Sequence, residues 1–358
     1  MTIADLARPE VRNLRPYQTA EQAAGVVRLN ANELPWPPGN NGTGGELNRY
    51  PDIRPARLHA QLAAHYGVAT GMVLATRGSS EAIDLLIRAF CRAGLDNIVT
   101  SSPTFAMYRV YADIQGAQTL DAPLLAERDF AFDAAAVLDR CTPSTKLIFV
   151  CSPNNPTGRL VPQSQLCELA EARTDRSLIV IDEAYAEFSG APSATALLHR
   201  YENLVVLRTL SKALSLAGAR CGAVIASEQL ISLLDGILAP YALATPVIDC
   251  VLRSLSPDNL QVSSDAMQRV LGERKRVSDA LALCPAVLKV WPSRSNFLLV
   301  KFHSLASVAA RLRDSRILIR DFAHEPALQN CARITIGKPD ENDLLLAALA
   351  RISHTVAR

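Results

Sequence analysis

The sequence has no marked excess of charge of either sign and no residue spacing typical of a metal site. Lys and Arg total 37 against 35 Asp and Glu in 358 residues, so no broad attraction for nucleic acid or anionic lipid is expected. The eight cysteines include no C-x-x-C pair, and the six histidines include no H-x-x-x-H pair. We therefore expect reduced intracellular thiols, no metal ion, and a small-molecule substrate.

Long apolar runs and nucleotide-binding loops are also missing. No stretch approaches the roughly 20 apolar residues that span a bilayer, and the first residues lack the basic start and apolar core of a secretion signal. A cytoplasmic location is expected. No G-x-x-x-x-G-K-[ST] loop occurs, and the glycines at 42, 44 and 45 lack the third glycine of a dinucleotide motif. Nucleotide phosphate chemistry is therefore disfavoured.

Beyond the first residues, short apolar runs alternate with amphipathic helical patterns. This alternation predicts an α/β domain with a mainly parallel central sheet flanked by helices, at residues 46–245. A long helical stretch and the strand candidates FLLVKF and ARITIG predict a smaller α+β domain at residues 246–358. Residues 1–45, rich in Pro, Asn and Gly, are interpreted as an extended N-terminal arm.

Three strands of the α/β domain run into polar residues, at the edge of the sheet where ligands bind. KLIFVC is followed by SPNNPTG, in which Asn155 either points its amide at a ligand or serves only in a tight turn. SLIVI is followed by Asp182, with Tyr185 three residues later. A buried carboxylate needs a partner, so Asp182 is either a ligand-binding acid or a helix cap.

The third strand, NLVVLR, leads into Thr209, Ser211 and Lys212, and Arg220 follows eight residues after the lysine. A lone lysine is usually a solvated side chain. This one lies between apolar stretches in a Gly- and Ala-rich region, a setting that lowers the pKa of an amine and suits it to attack an aldehyde.

Ser79 and Ser80 lie at the start of a predicted helix in RGSSEAIDLLIRAF. Backbone amides at a helix start bind anions such as phosphate, although serine at this position is equally typical of ordinary helix capping. An amine, a carboxylate, hydrogen-bond donors and an anion site together match the needs of a pyridine aldehyde phosphate.

The segments SPNNPTG, IDEAY and TLSKALSLAGARCG resemble the signatures of the fold-type I, class II-like aminotransferases. LRPYQ and RLNANELPWPP resemble more narrowly the histidinol-phosphate aminotransferase group within that family. The likeness extends over most of the chain. It implies the fold-type I architecture, pyridoxal 5'-phosphate as cofactor, and a homodimer. The arm at residues 1–45 would then contribute to the small domain and to dimer contacts.

The resemblance also implies catalytic roles. Lys212 would carry the cofactor as an imine and, once displaced by substrate, would move the substrate proton. Asp182 would keep the pyridine nitrogen protonated, while Tyr185 and Asn155 would hydrogen-bond the phenolic oxygen.

Further residues would complete the cofactor site by the same resemblance. Phe105 would stack on the ring, where many relatives carry tyrosine, and Tyr50 would reach the phosphate from the partner subunit. Ser80 stands where relatives often have an acidic residue. The phosphate would be bound by Ser79, Ser80, Thr209, Ser211 and Arg220.

For the substrate, Arg333 resembles the family's carboxylate-binding arginine, with Arg320, at the end of a predicted strand RILIR, and Tyr17 as companions. The same arginines would bind glutamate's carboxylate in one half-reaction and the phosphate of histidinol phosphate in the other. Arg320 is also consistent with a surface residue. Asn30, Asn32 and Glu33 would line the entrance or simply hold the arm in order.

The implied reaction is transamination between L-histidinol phosphate and 2-oxoglutarate, which gives imidazole acetol phosphate and L-glutamate in histidine biosynthesis. Two alternatives on the same scaffold are an aromatic-amino-acid aminotransferase and a threonine-phosphate decarboxylase. A more distant alternative is a non-enzymatic regulator that binds the cofactor.

Overall fold

The computed structural model of the protein describes residues 3–15, 22, 26–37 and 47–351. Its larger unit is built on a sheet of seven strands in the order β1-β7-β6-β5-β4-β2-β3. All neighbouring pairs are parallel except those of β7, which runs antiparallel to β1 and β6. The strands are β1 (Val73–Thr76), β2 (Asn97–Thr100), β3 (Gln118–Asp121), β4 (Thr145–Cys151), β5 (Leu178–Asp182), β6 (Leu204–Thr209) and β7 (Gly222–Ile225).

Both faces of this sheet are buried, as the continuous apolar runs predict. Side chains alternate across a strand, so Ile179 and Ile181 of β5 enter one core while Leu178 and Val180 enter the other. Helices cover the two faces. One face carries α3 (Gly78–Phe90), α4 (Met107–Gln115) and α7 (Glu228–Ile237); the other carries α2 (Ala56–Tyr66), α5 (Ala134–Arg140), α6 (Gln163–Ala172) and α8 (Thr245–Ser254).

The second unit is an antiparallel sheet of four strands in the order β10-β11-β9-β8. Its strands are β8 (Val287–Val290), β9 (Phe297–Phe302), β10 (Arg320–Asp321) and β11 (Cys331–Thr335). It shares a core with three helices, α9 (Pro257–Ala282), α10 (Leu305–Asp314) and α11 (Pro339–Ala350). On the opposite face of β9, Leu299 packs into the core of the large unit. The fold is therefore the α/β unit and smaller α+β unit expected from the sequence.

Two features bear on the expected division of the chain. In α8, Ile248 and Val251 are buried in the core of the large sheet, so we propose that the second unit begins with α9 and not at residue 246. Residues 3–12 are not extended: they form a 3-10 turn (Ile3–Leu6) and a short helix, α1 (Pro9–Arg12). Ile3 and Leu6 are buried beside α7. Packing against the large unit removes these apolar side chains from water, which lowers the free energy of the folded chain.

All eight cysteines are free thiols in the structure. Cys91, Cys151, Cys221 and Cys331 are buried, and the other four are only partly covered. Within the described ranges, none of the helices combines the length and the apolar character needed to cross a bilayer.

Candidate active site

The carboxyl ends of several strands meet at one edge of the large sheet. Cys151 and Asp182, the last residues of β4 and β5, lie opposite each other in the strand register. Because β7 is antiparallel, its first residue, Gly222, lies beside Thr209 and Thr76, the last residues of β6 and β1. Loops that follow four strands and the loop that precedes β7 therefore converge on one place.

A cavity of about 140 Å³ opens at this edge. Most of its wall comes from residues that the sequence pointed to, which are scattered over more than 140 positions of the chain. Those residues are Ser79, Ser80, Phe105, Asn155, Asp182, Tyr185, Thr209, Ser211, Lys212 and Arg220. Cys151, Ala184 and Ala217 complete the lining and were not anticipated.

Lys212 projects into this cavity from the turn after β6, with its Nζ 5.8 Å from the centre of the Tyr185 ring. The pKa of Lys212 is lowered, first because the surrounding protein displaces water and then because Arg333 and Arg220 repel the ammonium. Asp182 opposes this effect. A larger fraction of the amine is therefore uncharged, and able to act as a nucleophile, than in an ordinary lysine.

Asp182 is buried at the floor of the cavity with both carboxylate oxygens engaged. Oδ2 accepts a hydrogen bond of 2.7 Å from the Tyr108 hydroxyl, and Oδ1 accepts one of 3.1 Å from the Ala184 amide. Burial raises the pKa of Asp182, whereas these two bonds lower it. Each oxygen retains a second lone pair for a ligand.

Tyr108 was missed as a site residue, although it lies in the segment SPTFAMY that contains Phe105. It is fully buried on α4 and stacks on Phe149, with ring centres 4.7 Å apart. Burial and the neighbouring Asp182 raise its pKa well above the ordinary value, so the phenol stays protonated and donates. Only the fold brings it to Asp182, which is 74 residues away.

Asn155 lies in the loop after β4 and is tied to the second unit. Its Oδ1 accepts a hydrogen bond from Nη1 of Arg333, on β11. This contact fixes the amide with its nitrogen as the donor available on the other side, in a side chain that lines the cavity. Tyr185 lies nearby, buried edge-on against Phe297.

The other end of the cavity is suited to an anion. The first turn of α3 supplies Ser79 and Ser80, and Arg220 donates to the Ser211 hydroxyl at 3.2 Å. Ser211 in turn lies 3.0 Å from the Thr209 hydroxyl. Helix-start amides, hydroxyls and a guanidinium are groups that bind phosphate in proteins, and we call this end of the cavity the cup.

Two glycines permit this cup. A Cβ at Gly222 would lie 2.9 Å from the Ser79 amide nitrogen and 2.6 Å from the Arg208 carbonyl oxygen. Gly78 adopts a φ of 76°, and a Cβ there would lie 2.7 Å from the Arg220 guanidinium. Glycine is therefore needed for α3 to approach both β7 and Arg220 this closely.

The predicted substrate residues lie mainly outside the cavity wall. Arg320 is exposed and stands directly opposite Arg333 in the β10–β11 register. The prediction that Arg320 ends a strand is wrong: residues 317–319 are not paired, and Arg320 begins a strand of two residues. Asn32 is exposed at a φ of 56°, and Tyr17 lies outside the described residues.

Tyr50 also lies away from the cavity of its own chain. Its side chain is 49% exposed and stacks on Tyr241, with ring centres 4.5 Å apart. Its amide donates at 2.7 Å to Glu33, whose carboxylate also binds Arg28 and Arg49. Glu33 is therefore used to order the arm, the second of the two interpretations offered for it.

The donor set of the cavity fits pyridoxal phosphate. An amine of lowered pKa, a buried carboxylate, an oriented amide with a nearby phenol, and an anion cup are present around one open space. They meet the needs of the aldehyde, the ring nitrogen, the phenolic oxygen and the phosphate respectively. Phe105, at the cavity wall, offers an aromatic surface for the ring.

Known proteins resemble the chain over nearly its whole length. The histidinol-phosphate aminotransferase of Aeromonas salmonicida is 43% identical to it, over 98% of both chains. That of Xylella fastidiosa is 40% identical, over 99% of this chain and 98% of the relative. The crystal structure of histidinol-phosphate aminotransferase from Sinorhizobium meliloti in complex with pyridoxal-5'-phosphate is 25% identical, with a TM-score of 0.77 over 89% of this chain and 88% of the other.

The family model for aminotransferase class I and II matches residues 17–349. This range includes both sheets, the whole cavity wall and the two paired arginines. The protein belongs to the class I and II aminotransferases.

Proposed function

We propose that the protein transfers the amino group of L-histidinol phosphate to 2-oxoglutarate, giving imidazole acetol phosphate and L-glutamate in histidine biosynthesis, with pyridoxal phosphate as cofactor. The observation that carries this proposal is the single cavity that joins Lys212, Asp182 and Arg220. The choice of substrate is supported by relatives of that name at 43% identity over 98% of the chain.

Bound pyridoxal phosphate supplies an aldehyde carbon for amines and a ring that accepts the electrons released when the substrate Cα loses its proton. Lys212 first serves as the attachment point. The Nζ of Lys212 would also accept the proton that leaves the substrate Cα and donate it again, as the general base and acid of the transfer. The lowered pKa of Lys212 suits both tasks, since each needs the uncharged amine.

Asp182 holds the proton on the ring nitrogen, because an ionised carboxylate favours the protonated pyridine. Tyr108 and the Ala184 amide stabilise that ionised form against the effect of burial. Asn155 and Tyr185 would hydrogen-bond the phenolic oxygen. The ring is thereby kept ready to accept electrons.

Arg333 and Arg320 are proposed to bind the substrate's anionic group. They face each other across β10 and β11, and the pKa of Arg333 is lowered first by burial and then by repulsion from Arg320. Two guanidinium groups side by side suit either a carboxylate or a phosphate. The same pair thus serves glutamate and histidinol phosphate in turn.

The substrate proposal is tested by mixing the purified protein and cofactor with 2-oxoglutarate and one amino donor at a time. Glutamate should form with L-histidinol phosphate at a kcat/KM well above that with phenylalanine or tyrosine. Faster glutamate formation from the aromatic amino acids, or release of carbon dioxide from threonine phosphate, would assign the site to another reaction. An absence of turnover with every donor would indicate a binding protein.

Tyr108→Phe is expected to lower kcat about tenfold, the loss of one hydrogen bond to a charged group. The Tyr108 bond lowers the pKa of Asp182, so without it the carboxylate takes up a proton at higher pH. The acidic limb of the kcat profile should therefore move to higher pH. A profile of reduced height whose midpoints do not move would mean that Tyr108 only packs against Phe149.

We also propose a homodimer in which Tyr50 reaches the partner's cofactor phosphate. The arm exposes Val27, Leu29 and Trp36, with 86%, 90% and 72% of each residue accessible to solvent. Apolar side chains concentrated on one segment mark a protein interface. A second copy is the occupant that would also use the exposed Tyr50.

Leu29→Asp should shift the protein from dimer to monomer and lower its activity, because a charge would be buried in the interface. Light scattering coupled to gel filtration measures the mass. Leu283→Asp, at a residue 85% exposed after α9, is the matched control and should remain dimeric. A Leu29→Asp protein that stays dimeric would place the interface elsewhere.

A further inference from the structure

Glu81 is a buried acid beside the phosphate cup that none of the roles above uses. Its side chain is 8% exposed, on the first turn of α3, two residues from Ser79. Its Oε2 accepts the backbone amide of Arg77 at 2.6 Å, and its Oε1 accepts Nε of the same residue at 2.7 Å. The Arg77 side chain itself extends outward and is 58% exposed.

An acid this close to a phosphate site would normally repel the ligand. Here the guanidinium of Arg77 lies against the carboxylate, with Nη2 2.5 Å from Oε1. The two opposite charges therefore largely cancel, and the pair exerts little net electrostatic force on an anion in the cup. This arrangement keeps the hydrogen-bonding capacity of the carboxylate while cancelling most of its repulsion.

The amide that Glu81 binds belongs to the residue before the helix. Arg77 is the N-cap of α3 and makes no side-chain cap of its own. Glu81 accepts the hydrogen bond of the Arg77 amide, which precedes the helix. The amides of Gly78, Ser79 and Ser80, in the first turn of the helix, can then bind an anion. Glu81 also fixes the turn in which Gly78, at a φ of 76°, passes close to Arg220.

From this geometry we infer that Glu81 is a positioning residue for the cofactor phosphate, acting through the Arg77 peptide. The inference rests on the proposed function, since it takes the anion to be the phosphate of pyridoxal phosphate. The proposed role of Glu81 requires the hydrogen bond to the Arg77 amide and not the negative charge of the carboxylate. Glutamine at this position should therefore serve, and alanine should not.

The test compares the binding of pyridoxal phosphate and of pyridoxal, which lacks the phosphate, by the full-length protein freed of cofactor. Glu81→Ala should raise the Kd for pyridoxal phosphate about tenfold, the effect of losing a charge-assisted hydrogen bond that orders the cup. The Kd for pyridoxal should change less than about twofold. Glu81→Gln should restore pyridoxal phosphate binding to within about threefold of the wild type.

Asp84→Asn is the matched control, since it removes an acid of the same helix whose ion pair is with Arg88, one turn further along. It should bind both ligands as the wild type does. Equal weakening of both ligands by Glu81→Ala, no weakening of either, or failure of Glu81→Gln to restore binding would each overturn the inference. Wild-type protein that does not bind pyridoxal phosphate would instead refute the proposed function.

Discussion

Lys212→Ala is expected to lower turnover by at least about a thousandfold, because it removes both the cofactor's attachment point and the group that moves the substrate proton. The fold should be unaffected, since the side chain projects into the cavity and is not packed in a core. Thermal unfolding and circular dichroism check the fold. The spectrum of the bound cofactor should change to that of the unattached aldehyde.

Lys275→Ala provides the control, because that amine is 80% exposed on α9 and pairs with Asp279, one turn away. Its turnover and cofactor spectrum should equal those of the wild type. If Lys212→Ala retained the wild-type spectrum, another amine would carry the cofactor. The assignment of the whole cavity would then be wrong.

Asp182→Asn should lower kcat by about a hundredfold or more, the order of effect seen when one preorganised electrostatic contact is lost. The amide matches the carboxylate in size but cannot hold a proton on the ring nitrogen by charge. Binding of the cofactor phosphate should persist, because the cup around Arg220 lies at the other end of the cavity. The half-reaction with amino donor, followed by absorbance, measures the loss.

The control for this variant is Asp96→Asn, which removes a carboxylate that is 2% exposed but pairs with Arg92 at the opposite end of the sheet. It should cost stability, since it weakens the ion pair that a buried carboxylate makes with a partly exposed arginine, while kcat per folded molecule stays near the wild-type value. An Asp182→Asn enzyme with full kcat would remove Asp182 from the catalytic group and leave it as a structural residue.

Strands β4, β5 and β6 were predictable because each contains a run of at least four apolar residues, and polar residues come directly after that run. The short β1 and β7 were not, because four residues such as GAVI carry little signal. Yet β7 matters most for the site. Residues 210–221 contain no crossover helix, so β7 returns antiparallel and brings Arg220 to the edge where Lys212 lies.

Residue types at the site were also easier to predict than their pairings. Lys212, Asp182 and Arg220 stood out by their positions after strands or in a Gly- and Ala-rich segment. The bond from Tyr108 to Asp182 and that from Arg333 to Asn155 join segments 74 and 178 residues apart. Only the packed fold sets such distances, because local sequence patterns describe neighbours along one element.

The role proposed for Glu81 was likewise not predictable from the sequence. In the sequence Glu81 is an acid in the first turn of a helix, a common preference explained by the helix dipole. Its contact with the Arg77 amide, its burial and its position beneath the cup appear only in three dimensions. An ordinary sequence feature can thus have a role that depends on what the neighbouring loop binds.

The most direct test of the central claim is a single half-reaction with the pyridoxal phosphate enzyme and L-histidinol phosphate, with no 2-oxoglutarate present. The absorbance should change from that of the lysine-bound cofactor to that of its amine form, in proportion to the active sites, and 2-oxoglutarate should reverse it. No change with histidinol phosphate, together with a full change with an aromatic amino acid, would contradict the proposed function.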